Sequence, residues 1–172
     1  LTATLRSLFA YKAVPVINEN DPVAVQELTV GDNDRLSALM ATLLGAERLI
    51  LLTDIDGVYD ADPRTNKNAK RLDEIVTVTQ QQIAAAGDAS ARGRGGMRSK
   101  LEAARLASGA GVTTTIALGR ELRVIERIVA GESVGTRVRG KQGERADGRR
   151  RWLAVARRVR GQIHIDVGAV KA

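Results

Sequence analysis

No cysteine occurs among the chain's 172 residues, so neither a disulfide framework nor a thiolate metal site is available. The single histidine, His164, sits near the C-terminal end in the alternating run Gln162-Ile163-His164-Ile165-Asp166, the pattern of a strand surface residue. With no Cys and that one His, the sequence offers neither a Cys/His pair nor a Ser/His/Asp triad for nucleophilic catalysis. Aromatic side chains make up only 2% of the chain. No apolar stretch reaches the length of a membrane span, and residues 1–13 lack the ordered regions of a signal peptide. These absences lead to the expectation of a soluble, cytoplasmic protein.

The hydrophobic content of 44% is enough for one domain with a real core. The formal charge of +7 is unevenly spread. Residues 137–160 hold ten Arg or Lys against Glu144 and Asp147, a net of +8, which leaves the rest of the chain at −1. The basicity therefore belongs to a tail. Such a tail can contact phosphates, but Trp152 is the only aromatic in it, so base stacking has little support and RNA binding is not expected. A solvated linker leading to the surface of a second module is the simpler reading. The chain opens on Leu1, in what reads as mid-helix (Leu1, Leu5, Leu8, Phe9), and a fragment of a longer protein is the expectation.

Taken in order, the elements alternate. A helix over 1–12 leads to the short apolar run Val14-Pro15-Val16-Ile17, a candidate buried strand. A helix from about 34 to 46 carries Leu36, Leu39, Met40, Leu43 and Leu44 on one face. Residues 49–53, LILLT, are expected to form a strand buried on both faces. The spacing further predicts an exposed loop over 64–74, a short extended piece and helix start within 75–86, and a Gly/Ser/Arg-rich stretch over 87–96. Beyond it come a helix from Met97 to Gly109, a strand over 112–118, a helix over 121–130 and a short strand over 133–138. Strands alternating with helices argue for an α/β fold built on a mostly parallel sheet.

Three stretches could carry chemistry. Asn18-Glu19-Asn20-Asp21 follows the first strand, and Gly31-Asp32-Asn33-Asp34 opens the helix behind it. Two acidic-amide knots at a strand exit and a helix entry suit a ligand site, and equally suit two turns. Thr53-Asp54 ends a strand, where α/β proteins bind nucleotides. The Asp54, Asp56, Asp60, Asp62 alternation lacks the glycine and glutamate spacing of a calcium loop. In Arg92 to Lys100, glycines at a helix start let backbone N–H groups close on a phosphate, and Lys100 lies one turn into the helix. It is not a Walker loop, and an arginine-bearing glycine linker is the alternative. Phosphoryl transfer fits this inventory, because positioning and charge neutralisation need no protein nucleophile.

Four motifs in order, VPVINEND, VGDNDRLSA, LILLTDIDGVYDADP and GGMRSKLEAARLA, resemble the glutamate 5-kinase branch of the amino acid kinase family from about Thr4 to Gly135. The resemblance implies a three-layer αβα sandwich, truncated here by loss of the family's amino-terminal third. It divides the chain into the later part of a kinase domain (1–138), a basic linker (139–151) and the start of a PUA-like domain (152–172). The activity implied is ATP- and Mg2+-dependent phosphorylation of the γ-carboxylate of L-glutamate, the first step of proline synthesis. Proline is the implied feedback inhibitor, and homo-oligomers are implied for the complete protein.

By the same resemblance, Asp21 and Asn33 bind glutamate, and Asp32 lies in the loop where proline also acts. Asp34 orients the catalytic lysines. Thr53 and Asp54 bind ATP, as does the segment Arg94, Gly95, Gly96, Met97, Arg98, Ser99 and Lys100, with Lys100 stabilising the transferring phosphoryl group. Arg94 stands where the family usually has threonine, and a guanidinium is no conservative replacement. Because the missing third carries another catalytic lysine, the expectation is that this chain alone is inactive. The rival readings are another acceptor within the family (acetylglutamate, aspartate, carbamate or uridylate) or a nucleic-acid-binding module using the basic tail.

Overall fold

A computed structural model describes residues 2–18, 33–86 and 96–141. The element order is α1 (Thr2–Ala10), α2 (Asn33–Leu44), β1 (Arg48–Thr53), β2 (Glu74–Ile75), α3 (Gln80–Ala85), α4 (Met97–Gly109), β3 (Thr113–Leu118), α5 (Val124–Val129) and β4 (Thr136–Val138). The four strands form one sheet in the order β1-β3-β4-β2. The β1–β3 and β2–β4 pairs are parallel, and β4 is antiparallel to β3.

Alternation along the strands assigns the layers. Leu49 and Leu51 of β1 and Ile116 of β3 turn to one face, where α2, α3 and α4 cover them with Ala38, Ala41, Ile83, Leu101, Ala103, Ala104 and Ala107. Ile50 and Ala117 turn to the other face, against Val124 and Ile128 of α5 and Val134. Helices therefore lie on both sides of a mostly parallel sheet, as expected. Alanines dominate the facing surfaces of α2 and α4, which lets the two backbones approach closely.

Local sequence accounts for several boundaries. Thr79 and Gln82 form a capping box at the start of α3: Thr79 Oγ1 accepts from the Gln82 N–H at 3.1 Å, and Gln82 Oε1 accepts from the Thr79 N–H at 2.9 Å. Helix α5 starts at Val124 rather than 121, because Arg123 takes a left-handed conformation (φ 56°) that cannot belong to a helix. Its C-terminal end is closed by Arg48 of β1, whose guanidinium donates to the Ile128 carbonyl at 2.8 Å.

Two expectations need correction. Val14–Ile17 is not a strand: it pairs with nothing among the described residues, and Val14 and Val16 stand 86% and 94% exposed. A strand exists only through its neighbours' hydrogen bonds, and among the described residues none lies beside this run. Strand β1 is also not buried on both faces. Among the described strands it lies at the sheet edge, and Leu52 is 42% exposed. Among the described residues no helix is long and apolar enough to cross a membrane.

Candidate active site

Chain direction decides where the functional groups fall. Helix α2 runs into the amino end of β1, and α4 runs into the amino end of β3, which is parallel to β1. Each helix must therefore run back along the sheet, and its first turn lies near the strands' carboxyl end. The lengths agree: 12 residues of helix span roughly 18 Å and a 6-residue strand roughly 20 Å. Thr53 and Asp54 occupy that same end, as do the first turns holding Asn33, Asp34, Gly96, Ser99 and Lys100. This is the edge at which open α/β sheets bind ligands.

At the centre of the cluster is the Asp34 carboxylate. Its Oδ2 accepts from Lys100 Nζ at 3.1 Å and from Ser99 Oγ at 2.7 Å. The ammonium belongs to a side chain only 9% exposed, and the carboxylate to one 15% exposed. A cation so far removed from water needs its partner, so the pair is set by the packing of α2 on α4. Gly96 is the N-cap of α4 and offers no side-chain cap, which leaves the helix's first N–H groups facing the cluster end. Two helix N-termini and a lysine together favour negative charge in the space beside them.

The remaining expected residues divide. Asn33 donates from Nδ2 to Asn18 Oδ1 at 3.0 Å, tying the first residue of the first polar knot to the start of α2. Thr53 Oγ1 donates to Asp54 Oδ1 at 3.1 Å, and Asp54 is exposed. Arg98 pairs with Glu102 one turn on, at 3.2 Å on the helix surface. Met97 packs against the main core, so its side chain serves the fold. Asp21, Asp32, Arg94 and Gly95 lie outside the described residues, as do the basic tail beyond Lys141 and His164.

The acidic loop after β1 is consumed internally rather than gathered. Asp56 accepts from the Tyr59 hydroxyl at 2.9 Å, Asp60 from the Lys70 N–H at 2.8 Å, and Asp62 pairs with Arg64 at 3.0 Å. The bond to Asp56 raises the Tyr59 phenol above its ordinary value, and the Arg64 side chain holds Asp62 below its own. Among the described residues no three His, Asp or Glu side chains stand together as metal ligands.

The family model for the amino acid kinase family matches residues 1–117. The chain belongs to the amino acid kinase family. This kinase-family chain is 50% identical to the glutamate 5-kinase of Herpetosiphon aurantiacus over 171 residues, 99% of its own length and 46% of that protein's. It is 46% identical to the glutamate 5-kinase of Gloeobacter violaceus, over 98% of the chain and 46% of that relative. The chain thus spans about half the length of the curated relatives it matches. Among solved structures it resembles the UMP kinase of Bacillus anthracis, with a TM-score of 0.58 at 18% identity, covering 82% of this chain and 52% of that one. At that identity the likeness concerns the fold alone. The family match ends at residue 117, and the PUA domain expected from residues 152–172 is not shown in this chain.

Sequence reasoning missed two partners: Ser99 as a donor to Asp34, and Asn18 as the acceptor for Asn33. Asn18 had a signal, since it belongs to the first polar knot. Ser99 had none pointing to Asp34, which lies 65 residues away.

Proposed function

We propose that the whole protein to which this chain belongs is a cytoplasmic glutamate 5-kinase, transferring the γ-phosphoryl group of ATP to the side-chain carboxylate of L-glutamate. The observation that carries the reading is Lys100, held by Asp34 where two helix N-termini converge. In such a transfer the substrate carboxylate is the nucleophile. The enzyme must align the two anions and offset their charge.

Lys100 has three N–H donors, and Asp34 takes one, so the ammonium keeps capacity for phosphoryl oxygens. The N–H groups at the start of α4 suit the nucleotide's phosphates, and Thr53 and Asp54 the same ligand from the end of β1. Magnesium, held chiefly by the nucleotide's phosphate oxygens, would neutralise further charge when bound. Asn33, with Asp21 and Asp32, would hold the amino acid, and Asn33 has its carboxamide oriented by Asn18. Proline as a feedback ligand of that loop, and association into oligomers, belong to the same proposal.

The test is calorimetry of Mg-ATP binding to this chain and to Lys100→Ala, followed by glutamate-dependent ATP turnover on the same samples. The expected result is binding that weakens roughly tenfold or more without Lys100, the size of a lost charge-assisted contact. Binding indifferent to Lys100 would overturn the role given to it. Turnover with another acceptor, and none with glutamate, would overturn the substrate.

A further inference from the structure

We propose that Ser99 is a positioning residue whose hydroxyl locks the Asp34 carboxylate and, through it, the Lys100 ammonium. The purpose of such a lock rests on the kinase reading, but its geometry does not. Ser99 Oγ lies 2.7 Å from Asp34 Oδ2 and 2.8 Å from the Gly96 carbonyl oxygen. A hydroxyl has one proton, so it can serve only one of these acceptors fully. Bonding to the carbonyl three residues back is the ordinary behaviour of a serine in a helix's first turn. A carboxylate is the stronger acceptor, and the shorter distance goes to it.

The same Oδ2 receives Lys100 Nζ at 3.1 Å. Ser99 and Lys100 are consecutive on α4, so their side chains leave the helix about 100° apart. One carboxylate oxygen that bridges both fixes the rotation of α4 against the first turn of α2 as well as their separation. Lysine alone would not do this, because its four-carbon stem can follow a carboxylate through many rotamers. Serine, with one torsion and little entropy to lose, holds the oxygen in place. A hydroxyl engaged in this way is not available as a phosphate donor. Ser99 therefore acts through Asp34 rather than on the nucleotide.

The experiment is competitive acetylation of the intact chain, with the rate at Lys100 read by mass spectrometry against Lys67, an exposed loop lysine. Parent, Ser99→Ala, Ser99→Thr and Ser99→Val are compared, with helical content and melting temperature followed on each. The Thr and Val variants share a shape and differ in the hydroxyl. Losing a hydrogen bond to a charged group predicts that Ala and Val raise the Lys100 rate roughly tenfold relative to Lys67, while Thr stays within about twofold of the parent. Ala or Val labelling Lys100 no faster than Thr does would overturn the proposal. So would unfolding of both apolar variants beside an intact Thr variant, since the hydroxyl would then serve the fold at large. Because labelling needs no substrate, its outcome is independent of whether the chain transfers phosphoryl groups.

Discussion

Lys100 Nζ and Asp34 Oδ2 meet at 3.1 Å across 66 residues of sequence, one at the start of α4 and the other at the start of α2. Neither helix could form this pair by itself. It depends on the alanine-lined contact that brings the two helices together over the same face of the sheet.

A largely buried ion pair is costly to break from one side, because the remaining charge loses both water and partner. Asp34→Ala is expected to cost about 3 kcal/mol of stability in urea denaturation. The double variant Asp34→Ala, Lys100→Met should recover part of that loss. Simple additivity of the two single changes would show that the pair contributes nothing through its coupling.

Thr136 joins two segments of the loop that follows β1. Its Oγ1 accepts the Val58 N–H at 2.8 Å and donates to the Leu72 carbonyl at 2.6 Å. Thr136→Val keeps the shape and strands both groups in a buried place, for an expected cost of about 2 kcal/mol. The loss should appear as earlier proteolysis within residues 57–72. An unchanged digestion pattern would deny Thr136 this role.

Gly135 and Gly131 separate steric from conformational cost. Both have positive φ, 69° and 89°. A Cβ at Gly131 meets nothing within 4 Å, whereas one at Gly135 collides with the Ile116 carbonyl oxygen and Ala117. Gly131→Ala should cost about 1 kcal/mol and Gly135→Ala at least about 3 kcal/mol, because the latter must also push β4 from β3. Equal melting temperatures for the two would contradict the packing of this turn.

Glu74 ties β2 to β4, bonded to Arg139 at 2.5 Å and Arg137 at 3.0 Å. The Arg139 side chain, and after it Arg137, holds the Glu74 carboxyl below its ordinary value of 4.5. A depressed carboxylate contributes stability above its unfolded value and loses it as pH falls through the folded one. The parent should therefore lose stability faster than Glu74→Gln as the pH drops below 4.5, and the two should converge in acid. A parent and variant that stay parallel across that range would show the pair to be idle.

Much of this fold was legible in one dimension. The apolar run of β1, the strand of β3 and the whole extent of α4 follow from periodicity and from glycines at both ends of α4, because those patterns act over a few neighbouring residues. The candidate groups Asn33, Asp34, Thr53, Asp54, Ser99 and Lys100 could also be named from local chemistry and from family motifs. Tertiary structure decided which of them meet. Asp34, Ser99 and Lys100 share one oxygen because α2 packs on α4, and Asn18 meets Asn33 across 15 positions of sequence. It also decided against Val14–Ile17 as a strand, and against full burial of β1 at the sheet edge. Periodicity reports what one residue asks of its surroundings. Pairing, burial and contact between side chains depend on what other segments supply, and that information is not local.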